Sequence, residues 1–97
     1  MIVFDRGALE DLDRIFEFNL NQAPKTAIRH IERIRDGIQV LNKHPEMGRR
    51  LPRSSLRELV ISFGRTGCVA LYEHSPAETL IRVVAVRHRR EAGYRDR

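Results

Sequence analysis

The chain has 97 residues, 41% hydrophobic and 32% charged, a balance that predicts a single small soluble domain over residues 1–97. No apolar run approaches the roughly 20 residues that span a bilayer, and the N-terminus lacks a signal-peptide layout, so we expect a cytoplasmic protein with no membrane partner. The formal net charge of +5 points to an anionic partner instead.

The positive charge is concentrated in two segments. Residues 48–57 contain four arginines and no acid, and residues 87–97 contain five arginines against two acids. Both segments lie beside predicted strands, which predicts one basic surface for an anionic partner. A solvated face that only aids solubility is the alternative. The single cysteine, Cys68, cannot form an internal disulfide and is interpreted as a small buried hydrophobe.

The first 43 residues predict a strand followed by two helices. Residues 2–4 form the strand, and Asp5 is placed as the N-cap of a helix that ends within residues 19–22. Pro24 suits the first turn of a second helix. The apolar stripe of the first helix consists of Ala8, Leu9, Leu12, Ile15 and Phe16, and that of the second consists of Ala27, Ile28, Ile31, Ile34, Ile38 and Leu41. The short link predicts an antiparallel helical hairpin, with a coiled-coil dimer seam as the alternative.

The remaining residues predict three strands. His44 and Pro45 stop the second helix, and a loop over residues 44–55 follows. The predicted strands span residues 56–63, 68–73 and 80–86, separated by turns over residues 64–67 and 75–78. Short links make these strands an antiparallel meander. The element order β-α-α-β-β-β therefore predicts an α+β fold, in which a helical hairpin covers one face of an antiparallel sheet.

Four local patterns in this order resemble the RelE/ParE toxin superfamily. They are PEMGR at residues 45–49, LREL at 56–59, VALY at 69–72 and VRHRREAGY at 86–94. None is specific alone, but the resemblance covers nearly the whole chain. It implies the toxin of a type II toxin–antitoxin pair, bound and neutralised by a cognate antitoxin in a hetero-oligomer, without a cofactor.

The resemblance leaves three functions open. ParE-like members bind and trap DNA gyrase without chemistry of their own, and this interpretation is slightly favoured. RelE-like members are metal-independent endoribonucleases that cut mRNA on the ribosome. A degenerate member would bind an antitoxin but poison nothing.

The nuclease interpretation assigns a set of catalytic residues, most of them near the end of the chain. RNA cleavage needs a base for the 2′-hydroxyl, an acid for the leaving oxygen and cations on the phosphate. The candidates for proton transfer are Glu46 or His88 as the base. Arg65, Arg87 and Arg90 are the candidates for holding the phosphate, and Tyr94 resembles the C-terminal tyrosine of RelE-like nucleases. Arginines stand where such nucleases place lysines, and Gly64 stands where they place a basic residue, so these departures favour ParE.

The same residues also have binding or structural interpretations. The predicted binding residues are Arg49, Arg50, Arg53, Arg57, Arg89, Arg90 and Glu91. His88 and Glu91 can alternatively form a scaffold for the tail, with Tyr94 packed on the sheet. His30 and His44 are predicted to be surface or capping residues. His74 and His88 could approach as a metal pair, but the spacing of a zinc site is absent, so no metal is expected.

Overall fold

The computed structural model describes residues 1–63 and 66–88, and it confirms the predicted α+β class. The elements in chain order are β1 (Ile2–Phe4), α1 (Arg6–Gln22), α2 (Pro24–Gln39), β2 (Arg49–Arg50), β3 (Arg57–Phe63), β4 (Thr66–Ser75) and β5 (Leu80–His88). Single 3-10 turns at Val40–Asn42 and Pro76–Glu78 follow α2 and β4. Neither α1 nor α2, the helices of the described residues, is long and apolar enough to cross a membrane.

The five strands form one sheet in the order β1-β5-β4-β3-β2. Strands β3, β4 and β5 pair antiparallel, as the sequence predicts, and β2 also pairs antiparallel with β3. The first strand is different, because β1 runs parallel to β5, with Ile2 opposite Ile81 and Phe4 opposite Val83. A parallel pair needs a long intervening connection, and here the helical hairpin and three strands supply it.

The predicted loop over residues 44–55 contains a strand that the sequence does not indicate. Arg49 and Arg50 form β2, opposite Glu58 and Arg57 of β3. Two adjacent arginines carry no alternating pattern, so the prediction of an unbroken loop was wrong. The pairing is instead supported by a 2.9 Å ion pair between the Arg49 and Glu58 side chains.

The predicted turn over residues 64–67 is shorter in the structure, because β4 begins at Thr66. Gly67 is paired with Ser62 inside the ladder. A Cβ atom at position 67 would lie 2.4 Å from the carbonyl oxygen of Ile61. This glycine therefore permits close strand approach rather than a turn.

Both helices bury their predicted stripes, with two exceptions. Ala27, Ile34 and Ile38 are buried beneath α2 within the same chain, so the stripe is not a coiled-coil seam. Leu9 is 51% exposed and Ile28 is 58% exposed, so their assignment to the core-facing stripes was wrong. Each of them lies at the edge of its stripe, where the helix turns away from the sheet.

The core lies between the hairpin and one face of the sheet. Its largest fully buried side chains are Tyr72, Ile34, Ile38, Leu41, Val83, Val86 and Cys68. Each large apolar side chain buried in this way contributes about 1.5–3 kcal/mol of transfer free energy. The burial of Cys68, as a small hydrophobe, is confirmed.

Asp5 precedes α1 as predicted, but its side chain makes no capping hydrogen bond. Its carboxylate instead accepts a 2.9 Å hydrogen bond from Arg82 on β5. Arg82 also donates to Glu73 on β4. This hydrogen bond, with a further one from Ser55, holds the pKa of the Glu73 carboxyl below its usual value. The N-cap prediction was wrong about the side chain, because a cationic partner across the sheet competes for it.

Candidate functional site

The tip of β5 is fastened to α1 through one carboxylate. Asp11 is 7% exposed and is the one buried charged residue in the described part of the chain. Its carboxylate accepts hydrogen bonds from the backbone N–H of Val86 at 2.9 Å, from Arg14 Nη1 at 2.9 Å and from the Arg87 guanidinium. A buried charge requires such donors, because desolvating it without partners is costly. Asp11 therefore fixes where β5 delivers its last residues.

This carboxylate engages Arg87, a predicted phosphate ligand. The Arg87 guanidinium forms an ion pair with Asp11, and its side chain is only 32% exposed. A guanidinium held in this way stabilises the contact between β5 and α1. Its catalytic role stays a prediction.

His88, the last described residue of β5, is on the same side of the sheet as a second histidine, His30. His88 is paired with Cys68, whose buried side chain faces the helices, so His88 is on the same side of the sheet. His30 on α2 is half-buried there, and its pKa is lowered by burial and then by the charge of His88. His30, predicted as a surface or capping residue, is thus only partly exposed, whereas His44 is exposed as expected.

At the other end of the sheet, two side chains fasten the segment between α2 and β2. The Tyr72 hydroxyl donates to the carbonyl of Pro45 at 2.8 Å and accepts from the N–H of Gly48 at 2.9 Å. Arg57 Nη1 donates to the carbonyls of Gly48 at 2.9 Å and Glu46 at 3.2 Å. Burial raises the pKa of the Tyr72 hydroxyl. Three of the four family-like patterns, at residues 45–49, 56–59 and 69–72, thus meet here. We call this arrangement, in which Tyr72 and Arg57 hold residues 45–48, the clamp.

Gly48 is fitted closely into this clamp. A Cβ atom there would lie 2.7 Å from Tyr72 Cε1 and 2.9 Å from the carbonyl oxygen of Glu58. Both neighbours are held by pairing in the sheet, so a larger residue would displace the segment.

Beside the clamp is an open cavity of about 230 Å³. Its lining residues are Glu46, Arg50, Ser55, Arg57, His74 and Pro76. A Glu46 carboxylate oxygen lies 3.9 Å from Arg57 Nη2 and another lies 3.9 Å from His74 Nδ1, both beyond hydrogen-bonding distance. The Glu46 side chain is 65% exposed. The site thus combines a carboxylate, an imidazole and two arginines without a close ion pair between them.

Strands β2 and β3 form a hairpin, and its other predicted arginines, Arg49 and Arg53, differ in the contacts that they make. Arg49 forms its ion pair with Glu58. Arg53 is exposed at the tip between β2 and β3, in the left-handed region with φ 56°. That conformation is uncommon for a residue with a side chain, and the turn is closed by a 3.0 Å hydrogen bond from the N–H of Leu51 to the carbonyl of Leu56. Binding roles for these arginines stay predictions.

The structure does not bring the two candidate proton-transfer residues together. Arg57, which Glu46 approaches, is opposite Tyr72 on β4, whereas His88 is opposite Cys68. Those positions are about 13 Å apart along β4, and β3 and β5 lie on opposite sides of that strand.

His74 and His88 are also apart, since His74 is opposite Ile81 near the other end of β5. Cys68 and His74 are six positions apart along β4, a rise of about 20 Å, so the two histidines do not approach as a metal pair. Within residues 1–63 and 66–88, no group of three or more His, Cys, Asp or Glu side chains is arranged to hold a metal ion.

Several predicted residues lie outside the described part of the chain. These are Arg65, Arg89, Arg90, Glu91 and Tyr94. Their catalytic and binding roles, and the packing of Tyr94 on the sheet, stay predictions.

Three residues of these sites were not identified from the sequence. Asp11 lies one turn after Ala8 on the buried side of α1, and this position is the signal that could have marked it as a buried acid. His30 likewise follows the buried Ala27 by three residues, which places it near the buried side of α2. Tyr72 lies within the predicted strand over residues 68–73, but no sequence pattern specifies that its hydroxyl fastens Pro45 and Gly48.

Comparisons with known proteins agree on the family. The matching family model describes the ParE toxin of a type II toxin–antitoxin system, parDE, and covers residues 2–93. Toxin RelE3 of Caulobacter vibrioides is 36% identical over 81 residues, which are 84% of this chain and 85% of that protein. A solved structure of the chromosomal ParDE TA system from P. aeruginosa has the same fold, with a TM-score of 0.73, 19% identity, and coverage of 90% of this chain and 92% of that one. The chain therefore belongs to the RelE/ParE superfamily of type II toxin–antitoxin toxins.

Proposed function

We propose that this toxin acts by binding DNA gyrase, in the manner implied for ParE-like members, and that a cognate antitoxin blocks it. The observation that carries the proposal is that Glu46 approaches Arg57 on β3 whereas His88 ends β5, beside positions of β4 that are about 13 Å apart. A general base and a general acid must both reach one phosphodiester, within hydrogen-bonding distance or through one water. Residues this far apart suit a binding surface better than a shared catalytic centre.

The state of Arg87 supports the same choice. A phosphate ligand must be free to turn its donors toward the substrate, whereas Arg87 already pairs with a buried carboxylate. Withdrawing it would leave Asp11 with a partly unsatisfied charge, which is costly in the interior.

The basic hairpin, residues 49–57, is proposed as part of the surface that contacts the antitoxin or the target. Arg50 and Arg53 are exposed and form no ion pair with any described residue. Arg89, Arg90 and Glu91 follow β5 in the chain and are also proposed to contribute to binding. An acidic antitoxin would be attracted to such a surface and would form a hetero-oligomer with the toxin.

The proposal is tested with the purified chain in two reactions. The first measures supercoiling and DNA cleavage by gyrase, and the second measures cleavage of mRNA on ribosomes. The proposal expects inhibition of gyrase with intact mRNA. Cleaved mRNA with unaffected gyrase would contradict it, and no effect in either reaction would identify a degenerate toxin.

The RelE-like endoribonuclease is the second candidate, because a relative at 36% identity is named Toxin RelE3. Under this alternative, His88→Ala and Tyr94→Phe abolish mRNA cleavage while the fold and antitoxin binding remain intact. Full toxicity of both variants would exclude it.

A further inference from the structure

We propose that the cavity beside the clamp binds a single carboxylate of a partner protein, supplied by an acidic side chain of the antitoxin. This inference rests on the antitoxin partnership and adds a defined subsite to it. The subsite consists of Arg50 and Arg57 on the β2–β3 hairpin, with His74 at the end of β4.

The cavity has a cationic wall that is incompletely neutralised. Arg50 and Arg57 are directly opposite each other across β2 and β3. Like charges directly opposite each other repel and destabilise the pairing of the strands, so an anion bound between the two arginines would reduce this repulsion. The Arg57 guanidinium is fixed by the two loop carbonyls of the clamp. Arg50 forms no ion pair or hydrogen bond through its side chain within the described residues, and it is available for a ligand.

Glu46 indicates which anion the cavity suits. Its carboxylate already faces both Arg57 and His74, at 3.9 Å from each. At that distance it reduces the positive charge without forming a hydrogen bond with either group. Two arginines against one carboxylate leave an excess of one positive charge when His74 is neutral, which matches one additional carboxylate.

The surroundings favour an isolated carboxylate over a nucleic-acid backbone. Ser55, in the cavity wall, donates to Glu73 at 2.8 Å, and Glu78 lies two residues after Pro76. Glu46 is itself in the lining, so three acids lie in the cavity wall or next to its residues. A chain of phosphates would pass several of them at close range, and like charges repel. A partner that presents one acidic side chain avoids this cost.

The test is an NMR titration of the full chain with a blocked Gly-Glu-Gly peptide, following the side-chain N–H signals of the arginines and the imidazole of His74. A blocked Gly-Gln-Gly peptide is the matched probe without charge. We expect saturable shifts of the Arg50, Arg57 and His74 signals with the Glu peptide alone, at roughly millimolar concentration. Arg50→Gln should weaken binding about tenfold, the loss of one charge-assisted hydrogen bond. Glu46→Gln should strengthen it, because a competing carboxylate is removed.

The control variant is Arg53→Gln, which removes an arginine of the same hairpin outside the cavity lining. It should leave the peptide affinity unchanged. Equal weakening by Arg50→Gln and Arg53→Gln would overturn the proposal in favour of diffuse charge attraction, as would the absence of any saturable shift. Tighter binding of an oligouridylate at the same signals would assign the cavity to nucleic acid instead. The titration needs no gyrase, so its failure would leave the gyrase proposal intact, and failure of gyrase inhibition would leave the subsite intact.

Discussion

The two ends of the sheet use the same residue types for different purposes. At the tip of β5, Asp11 is buried and receives three donors, two of them from Arg14 and Arg87. At the cavity, Glu46 is exposed and remains 3.9 Å from Arg57 and from His74. Burial accounts for the difference, because a desolvated charge must be paired whereas water can satisfy an exposed one. An arginine near a carboxylate therefore indicates fold stability at one end and an available binding group at the other.

The largest expected effect is at the buried end. Asp11→Ala removes the carboxylate and leaves the Arg87 guanidinium and the Val86 N–H without it, at an expected cost of about 3–5 kcal/mol. Asp11→Asn keeps an acceptor and should cost less. Urea denaturation gives both values, with Asp13→Ala, at an exposed position on the same helix, as the control. Equal stability of Asp11→Ala and Asp13→Ala would contradict the proposed role of Asp11.

An intermediate effect is expected at the clamp. Tyr72→Phe removes the hydroxyl that joins Pro45 and Gly48 and leaves a buried N–H without its acceptor. We expect a loss of about 1–3 kcal/mol in the free energy of unfolding. Hydrogen exchange at Gly48 provides a second readout and should accelerate. Unchanged exchange there would show that the hydroxyl does not hold this segment.

A smaller, pH-dependent effect is expected at His30. Its pKa is lower in the folded protein than in the unfolded chain, so the unfolded state takes up the proton first as pH falls. The favourable contribution of neutral His30 is fully present above the unfolded pKa of about 6.5 and is lost as pH falls through the lower folded value. His30→Gln should flatten the dependence of the melting temperature on pH in that window. His44→Gln, at an exposed position, is the control and should leave the dependence as in the parent chain.

The smallest effect is expected at the cavity. Arg50→Gln should change the free energy of unfolding by less than about 0.5 kcal/mol, because the substituted group is exposed. A slight gain is consistent with relief of repulsion from Arg57. Chemical denaturation measures this, with Arg53→Gln as the matched variant. A loss comparable to that of Asp11→Ala would remove the distinction between the two ends.

The sequence predicted the elements in which apolar residues recur at a regular spacing because one face is buried. The stripe Ala27, Ile34 and Ile38 is buried as its spacing indicates, and Pro24 begins α2. Strand β2 was not predicted, because a two-residue strand is too short to show alternation. The stripe edges at Leu9 and Ile28 were misplaced, since periodicity gives the direction of a face but not its width.

The candidate site was predicted less completely, for a related reason. His88 and the arginines of the hairpin were identified by residue type and by resemblance. The partners of Arg87 and His88 could not be identified from the sequence. Asp11, for example, is 76 residues from Arg87 in the chain and meets it only because α1 packs on β5. A residue type indicates possible chemistry, but burial and partners determine whether the group is available.

The most direct test of the gyrase proposal is a pulse-labelling time course in cells that express the toxin without antitoxin, with DNA and protein synthesis followed in parallel. Cells that express the Glu46→Gln variant should behave like the parent if Glu46 and His88 do not share a catalytic centre. If the toxin binds gyrase, DNA synthesis should fall first, with induction of a DNA-damage response. Collapse of protein synthesis within minutes, without DNA breaks, and its loss in the Glu46→Gln variant would contradict it.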